Sequence, residues 1–284
     1  MSGDRSLATA APTGPLEETA VATTRDAAVA GRGLVRRGDS PAVDVCFTPA
    51  EIRPADVAVV VDVLRATSTI VQALAAGCSR VLCCRSVRAA RDLRADGRVL
   101  AGERDCVRVP DFELGNSPPA VATHGLRGDE LVLATTNGSP AIVAASSAAR
   151  RVLVGSLLNL RAVLEAIRAE TAVTIVCSGT DGRPALEDVY VAGRLVAALD
   201  GRRSDAARVA ERVASAYPSP LKPLAESEDG ARLRATGQES DIAWCAREST
   251  LGLVPEVCST EDGVAAVRAP KHRYAFMNDG REFA

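Results

Sequence analysis

Short apolar runs alternate with amphipathic stretches along this chain from Val43 onward. Val57–Val61 is a run of valine broken only by alanine, which is typical of a strand that is covered on both faces of a sheet. The next stretch, Ser68–Ala76, has helical spacing and ends at Gly77, a usual position for a glycine that terminates a helix. Because such strand–helix units recur, the pattern predicts an α/β fold with a layered α/β/α sheet architecture.

The same periodicity predicts the strands and helices along the rest of the chain. The predicted strands are Val43–Phe47, Val57–Val61, Val81–Cys84, Val99–Ala101, Leu131–Ala134, Val152–Val154 and Val173–Cys177. The predicted helices are Ser68–Ala76, Val87–Ala95, Pro140–Ala149, Leu160–Glu170, Leu186–Leu199, Ala206–Ala216 and a stretch around Ala231. Residues 102–119 are predicted to form a long polar loop. Residues 1–38, rich in Ala, Thr, Gly and charge, predict a disordered N-terminal extension.

The composition limits the kinds of partner that the protein is expected to bind. The net charge of −2 argues against broad binding to nucleic acid or to a membrane surface. The eight cysteines include no spaced CxxC pair, which argues against structural zinc and favours reduced thiols in a cytoplasmic protein. No apolar run reaches the roughly 18 residues of a membrane span. We therefore expect neither nucleic acid nor a membrane as a partner, and a homo-oligomer is left open.

Polar turns follow several predicted strands, at Asp62, Thr135, Gly155 and Ser178. Because the carboxyl ends of parallel strands meet at one sheet edge, these turns predict a single ligand cleft. Asp62 is the first candidate for chemistry, and the Arg65 guanidinium beside it is suited to hold a phosphate or carboxylate. The helix start that follows, with Thr67, Ser68 and Thr69, is predicted to offer free N–H groups to an anion.

Further polar side chains are candidates of the same kind, and each has a structural alternative as a cap, a turn or a solvated charge. Glu103 follows a strand in the predicted loop and is a candidate catalytic residue. The other expected substrate contacts are Arg104, Asn116, Ser117, Thr135, Thr136, Asn137, Gly138, Ser139, Ser156, Asn159, Ser178 and Gly179. Glu187 and Asp188 are candidate Mg²⁺ ligands together with Asp62, since Mg²⁺ prefers oxygen ligands. An acidic helix start is the competing interpretation of that pair.

One spacing suggests a different chemistry. Cys177 to Arg183 fits C-x5-R, the phosphate loop of cysteine-dependent phosphatases, and lies between a predicted strand and a predicted helix. However, Val176 and Pro184 stand where that loop is expected to have His and Ser or Thr. Eight cysteines in an arginine-rich chain also make one such spacing expected by chance.

Several long segments together resemble the 2-phosphosulfolactate phosphatase (ComB-like) family. They are VDVLRATSTIVQALAAG, GERDCVRVPDFELGNSP, LVLATTNGSPAIVAA, VGSLLNLRAV and IVCSGTDGRPALEDVYVAGRL, in this order. A looser match continues through DIAWCARESTLGLVPEV. The resemblance implies that residues 39–284 form a ComB-like phosphatase domain with two α/β lobes.

The resemblance also implies an activity. This is Mg²⁺-dependent hydrolysis of 2-phospho-3-sulfolactate, or of a related 2-phospho-hydroxy acid, in a step towards coenzyme M. In the expected mechanism, Asp62, Glu103, Glu187 and Asp188 are metal ligands or bases, and Arg65 and Arg104 hold the anionic groups. Two other functions stay open: a cysteine phosphatase that uses Cys177 and Arg183, and a non-catalytic anion-binding protein.

Overall fold

The computed structural model describes residues 43–270, and within them ten strands form one mixed sheet. The predicted extension, residues 1–38, lies outside the described residues. The strands are β1 (Val43–Cys46), β2 (Ala55–Val61), β3 (Arg80–Cys84), β4 (Arg98–Arg104), β5 (Val107–Arg108), β6 (Glu130–Ala134), β7 (Ala149–Gly155), β8 (Val173–Cys177), β9 (Glu256–Glu261) and β10 (Val264–Arg268).

Ten α-helices accompany these strands in the described part of the chain. They are α1 (Ala66–Ala75), α2 (Val87–Asp92), α3 (Pro118–His124), α4 (Gly138–Ser146), α5 (Leu160–Ile167), α6 (Leu186–Ala197), α7 (Asp205–Ser215), α8 (Leu221–Glu226), α9 (Glu228–Ala235) and α10 (Glu239–Cys245). Short 3-10 helices occur at Pro49–Glu51 and Leu157–Asn159. None of the helices between residues 43 and 270 is both long and apolar enough to cross a membrane.

The sheet consists of two parallel groups of strands. Its order is β1-β8-β2-β7-β9-β10-β3-β6-β4-β5. The first group, β1, β8, β2 and β7, is parallel throughout, as is the second group, β3, β6 and β4. The antiparallel hairpin of β9 and β10 lies between the groups, joined to β7 by the single pair Leu153 and Glu256 and to β3 along four residue pairs. The two expected lobes therefore share one continuous sheet.

Successive side chains of a strand point to opposite faces of the sheet, and this alternation separates the core into layers. Val59 and Val61 of β2 pack with α5, α6 and α7 on one face, whereas Ala58 and Val60 pack with α1 and α4 on the other. The cluster that contains α1 and α4 also holds apolar residues of β3, β6 and β7, so one helical layer serves both groups. The opposite face of the second group is covered by α2 and Phe112.

The predicted α/β class and layered architecture are confirmed. Val173–Cys177 is a strand with the predicted bounds, and Gly77 follows the end of α1 with a φ of +101°. The predicted polar loop at 102–119 contains more structure than expected, because β4 continues to Arg104 and β5 pairs back on it. The prediction also lacked α3, α8, α10 and the β9–β10 hairpin.

The close approach of α6 and α7 gives a first testable prediction. A Cβ atom at Gly193 would lie 2.0 Å from the carbonyl oxygen of Ala210 on α7. Gly193→Ala must therefore push the helices apart, and we expect it to lower the free energy of unfolding by about 2–3 kcal/mol. Urea denaturation measures this change, with Ser215→Ala on the exposed side of α7 as the control. Equal stability of the two variants would contradict the close packing of α6 against α7 at Gly193.

Candidate active site

Asp62 lies where β2 ends and caps the helix that follows. Its Oδ1 accepts a hydrogen bond of 2.8 Å from the backbone N–H of Ala66, the first residue of α1. The Thr67 N–H donates to the Asp62 carbonyl oxygen at 2.9 Å. Arg65 is the N-cap residue of α1, but Asp62 supplies the side-chain acceptor at this end, where the helix dipole favours a carboxylate. Only 7% of this residue is exposed.

The second parallel group reaches Asp62 through α4. A Cβ atom at Gly138, the first residue of α4, would lie 2.4 Å from Asp62 Oδ2 and 2.4 Å from the Ala66 Cβ. In the sheet order, β2 and β6 are five positions apart, which in a flat sheet is about 24 Å. The four Cα–Cα steps from Ala134 to Gly138 span at most about 14 Å. The sheet therefore curves strongly, and glycine at 138 permits the contact.

A cleft opens above this contact and draws on both groups of strands. It is lined by Asp62, Leu64, Arg65, Glu103, Asp105, Cys106, Asn116, Thr135, Thr136, Asn137, Asp181, Asp229 and Arg232. Seven of these were predicted from the sequence as site residues: Asp62, Arg65, Glu103, Asn116, Thr135, Thr136 and Asn137. The structure thus brings these seven together at one edge of the sheet.

Glu103 is held rigidly at the wall of the cleft. Its Oε1 accepts the backbone N–H of Thr136 at 2.8 Å, and its Oε2 accepts the Cys106 N–H at 3.0 Å. The Thr136 hydroxyl donates to Oε2 at 3.3 Å. Glu103 therefore links the turn after β6 to the turn between β4 and β5, and it places a negative charge beside the cleft.

The carboxyl groups around Asp62 crowd one another. Burial, helped by the charges of Asp229 and Glu103, raises the pKa of Asp62 to about 7. Burial and the charge of Asp229 raise the pKa of Glu187 to about 8. Burial and the charges of Asp62 and Glu187 raise the pKa of Asp188 well above its usual range. Near neutral pH, Glu187 and Asp188 therefore keep their protons, and Asp62 is close to half protonated.

Glu187 and Asp188 lie beside and beneath the cleft. The Asp188 carboxylate accepts the backbone N–H groups of Val63 at 2.9 Å and Gly179 at 3.2 Å, so it joins the turns after β2 and β8. Glu187 lines a neighbouring cavity, and Asp229 lines both that cavity and the cleft. Within residues 43–270 no three His, Cys, Asp or Glu side chains are gathered as a preformed metal site.

Two guanidinium groups line the cleft, and one of them differs from the prediction. Arg65 lies there as expected, whereas Arg104 turns back to donate to the carbonyl oxygens of Glu103 and Ala134. Arg232, on α9, occupies the cleft wall instead and donates to Asp181 at 3.0 Å. The structure therefore places Arg232, and not Arg104, in the cleft lining, and the contact of Arg104 with an anion stays a prediction.

Other predicted contacts lie below the cleft lining, where their polar groups serve the backbone. The hydroxyls of Thr67 and Ser68 donate to the carbonyl oxygens of Asp62 and Val63. The N–H groups at the start of α1 are already used by Asp62 and Arg65, which leaves fewer for an anion than expected. The remaining predicted residues outside the lining are Ser117, Gly138, Ser139, Ser156, Asn159, Ser178 and Gly179.

Two of these residues take part in hydrogen bonds at the start of a helix. Asn159 Oδ1 accepts the Ser156 N–H at 2.9 Å, and its Nδ2 donates to the carbonyl oxygens of Val154 and Leu253. At the start of α4, the Ser139 N–H donates to Thr135 Oγ1 at 2.9 Å. Ser178 differs, because its buried hydroxyl forms no hydrogen bond within the described residues.

The cysteine-phosphatase hypothesis does not fit the structure. Cys177 is fully buried at the end of β8, and burial raises its thiol pKa well above the ordinary value, so a thiolate is disfavoured. Arg183 points away to pair with Glu228 at 3.0 Å, and 62% of its side chain is exposed. Thr180 and Arg183 exchange backbone hydrogen bonds in a tight turn, so the segment forms no phosphate cradle.

Sequence reasoning missed several lining residues. Asp105, Cys106 and Asp181 lie inside two of the segments that resemble the family, but nothing in the sequence distinguishes them from the other polar residues there. Asp229 lies in the first turn of α9, which Ser227 caps, and Arg232 lies three residues further on, in the last turn. That pattern is common on solvated helices, so the sequence offered no reason to place it at a cleft.

The fold and the site together define an α/β enzyme with a carboxylate-lined cleft at the carboxyl edge of its sheet. A sequence model of the 2-phosphosulpholactate phosphatase family matches residues 46–260. The chain belongs to this family, whose members are phosphoric monoester hydrolases, as predicted.

Similar proteins agree with this membership. A protein of Pseudothermotoga lettingae is 39% identical over 215 residues, which is 75% of this chain and 94% of the relative. One of Deinococcus radiodurans is 39% identical over 216 residues, 73% of this chain and 90% of the relative. One of Clostridium novyi is 30% identical over 226 residues, 75% and 96% respectively. Each of the three is named probable 2-phosphosulfolactate phosphatase.

The raised pKa of Glu187 predicts a pH-dependent stability. The native state holds this proton up to about pH 8, whereas the unfolded chain releases it near the ordinary carboxyl value, so stability falls as the pH rises between the two. In EDTA, Glu187→Gln should therefore match wild type near pH 4.5 and be more stable by about 2 kcal/mol at pH 9.

Thermal unfolding measured from pH 4.5 to 9 tests this expectation, with Glu165→Gln on the exposed face of α5 as the control. If the curves of wild type and Glu187→Gln run parallel over this range, Glu187 is not a buried carboxyl that unfolding ionises.

Proposed function

We propose that this protein hydrolyses 2-phospho-3-sulfolactate, or a related 2-phospho-hydroxy acid, to the 2-hydroxy acid and phosphate, and that it requires Mg²⁺. The charge of the cleft carries the proposal. The lining contains five carboxyl groups, those of Asp62, Glu103, Asp105, Asp181 and Asp229, but only the guanidinium groups of Arg65 and Arg232. A polyanionic substrate is repelled by such a lining unless a cation enters with it.

The donor set fits Mg²⁺. Mg²⁺ commonly uses one or two carboxylates and completes its shell with water and substrate phosphate, so a preformed cluster of three acids is not required. Asp62 and Asp229 would hold it, because both line the cleft and the charge of Asp229 raises the pKa of Asp62. Asp188 and Glu187 lie behind them as further carboxyl groups, which are protonated near neutral pH until a cation approaches. When bound, Mg²⁺ supplies positive charge that offsets the phosphoryl oxygens.

The chain's own donors would orient the substrate. Arg65 and Arg232 provide guanidinium N–H groups for the phosphoryl and carboxylate oxygens. Asn116 lines the cleft and is 96% buried, and its side-chain amide adds a neutral polar contact. Thr135 and Thr136 line the wall on the side of β6, so anionic groups of the substrate are held from both groups of strands.

Asp62 would handle the proton. It lines the cleft, and the Ala66 N–H bonds to Oδ1, so Oδ2 can accept a proton. As carboxylate it accepts a proton from the attacking water while the water oxygen bonds to phosphorus. The ester P–O bond breaks, and the leaving oxygen takes up a proton from solvent water to become the hydroxyl of the 2-hydroxy acid. Asp62 then returns its proton to solvent and is again a carboxylate.

Phosphate release from racemic 2-phospho-3-sulfolactate and from 2-phospholactate tests this function, each with Mg²⁺ and with EDTA. We expect wild-type release with Mg²⁺ that EDTA stops, and Asp62→Asn should lose at least about 10³-fold in turnover. Asparagine retains an oxygen to accept the Ala66 N–H, so the variant should stay folded by circular dichroism.

Asp111→Asn, at an exposed ion pair with Arg91, is the matched control and should keep wild-type activity. Turnover by Asp62→Asn near the wild-type rate would remove Asp62 from the mechanism. Binding of either ester without any release of phosphate would instead support the anion-binding alternative.

A separate variant tests the assignment against the cysteine mechanism. Because Cys177 is buried in the core and points to no ligand, Cys177→Ala should keep phosphate release within about threefold of wild type, at a stability loss of about 1 kcal/mol. A folded Cys177→Ala protein without activity would contradict the assignment to the carboxylate-lined cleft.

A further inference from the structure

Arg65 is a buried cation whose orientation depends on a distant part of the chain. Only 2% of the residue is exposed, and its Nη1 donates to Asp241 Oδ2 and to Gln238 Oε1. Asp241, on α10, is also 2% exposed. A buried guanidinium is tolerated only when it is paired, so this contact fixes where the Arg65 side chain lies.

The guanidinium has donors left for a ligand. Both hydrogen bonds use Nη1, and no bond to another residue within 43–270 occupies Nε or Nη2. Because Arg65 lines the cleft, its remaining N–H groups are the ones that a bound anion meets. A carboxylate behind an arginine thus orients the donors that face the substrate.

Asp241 and Gln238 also hold two other parts of the cleft wall. Ser117 Oγ donates to Asp241 Oδ1 at 3.0 Å, although Ser117 stands at the N-cap of α3 and makes no side-chain cap bond there. Ser117 follows Asn116, which lines the cleft. Gln238 Nε2 donates to the carbonyl oxygen of Cys106 at 2.8 Å, beside Glu103. One short segment therefore ties three separate cleft-lining turns together.

We propose that Asp241 is a positioning residue for anion recognition, which acts through Arg65 and is assisted by Gln238. Asp241 does not line the cleft, so it touches no substrate itself. The proposal rests on the proposed function for its effect on turnover, but its effect on the affinity for inorganic phosphate can be measured independently.

A double-mutant cycle tests whether Asp241 acts through Arg65. Asp241→Asn should lower kcat/KM by roughly 10- to 100-fold, mainly through KM, and weaken the Kd for inorganic phosphate, measured by calorimetry with Mg²⁺. In an Arg65→Met background, the same change should alter both quantities less than about twofold, because no guanidinium remains to be oriented. Removing both charges together also avoids leaving one buried and unpaired.

Two further variants keep the test decisive. Gln238→Met retains the length of the side chain and leaves Asp241 in place. It should cause a smaller loss of kcat/KM and of phosphate affinity, and this loss should also vanish in the Arg65→Met background. Glu248→Gln breaks the ion pair with Arg194, which is only partly buried and involves no cleft-lining residue. This variant should leave kcat/KM and the phosphate Kd unchanged.

The outcomes separate this proposal from the proposed function. Equal losses from Asp241→Asn in both backgrounds would mean a general structural role and would overturn the proposal. If no ester is hydrolysed but the phosphate Kd shows the coupling, the proposed function fails and the positioning role stands. If Asp241→Asn does not fold, the Gln238→Met cycle decides. Wild-type protein that neither hydrolyses ester nor binds phosphate would overturn both.

Discussion

A carboxylate buried at the start of a helix is the constraint on which this structure depends. Asp62 caps α1 through the Ala66 N–H, and the first residue of α4 packs against its other oxygen. These two helices form the layer that is common to both parallel groups of strands. The geometry of Asp62 therefore fixes the relative position of the two sheet groups and, with it, the shape of the cleft.

The acidic residues around Asp62 act against stability. Asp62, Glu187, Asp188 and Asp229 all have raised pKa values, each mainly because of burial. A core selected only for stability would not bury several carboxyls that repel one another. Natural proteins accept such arrangements where function requires them, and here a cation and a polyanion together would complete the charge balance.

Much of the fold could be predicted from the sequence, because the apolar periodicity of strands such as Val57–Val61 survives in the structure. The site could be predicted where a polar residue follows a strand directly, as Asp62 and Thr135 do. The site could not be predicted where it depends on the direction in which a side chain points. Arg104 is next to Glu103 in the sequence, but its side chain folds back onto backbone carbonyl oxygens. Asp241 and Arg232 were beyond prediction because tertiary packing alone brings α9 and α10 to the cleft.

The position of the β9–β10 hairpin has a consequence for how the protein is made. These are the last strands of the described chain, yet they lie in the middle of the sheet, between β7 and β3. During synthesis, the two parallel groups therefore cannot be joined into one sheet until residues up to Arg268 have left the ribosome. Every element that supplies the cleft is translated before that point. A nascent chain thus carries all of the chemical groups of the cleft before its sheet is complete.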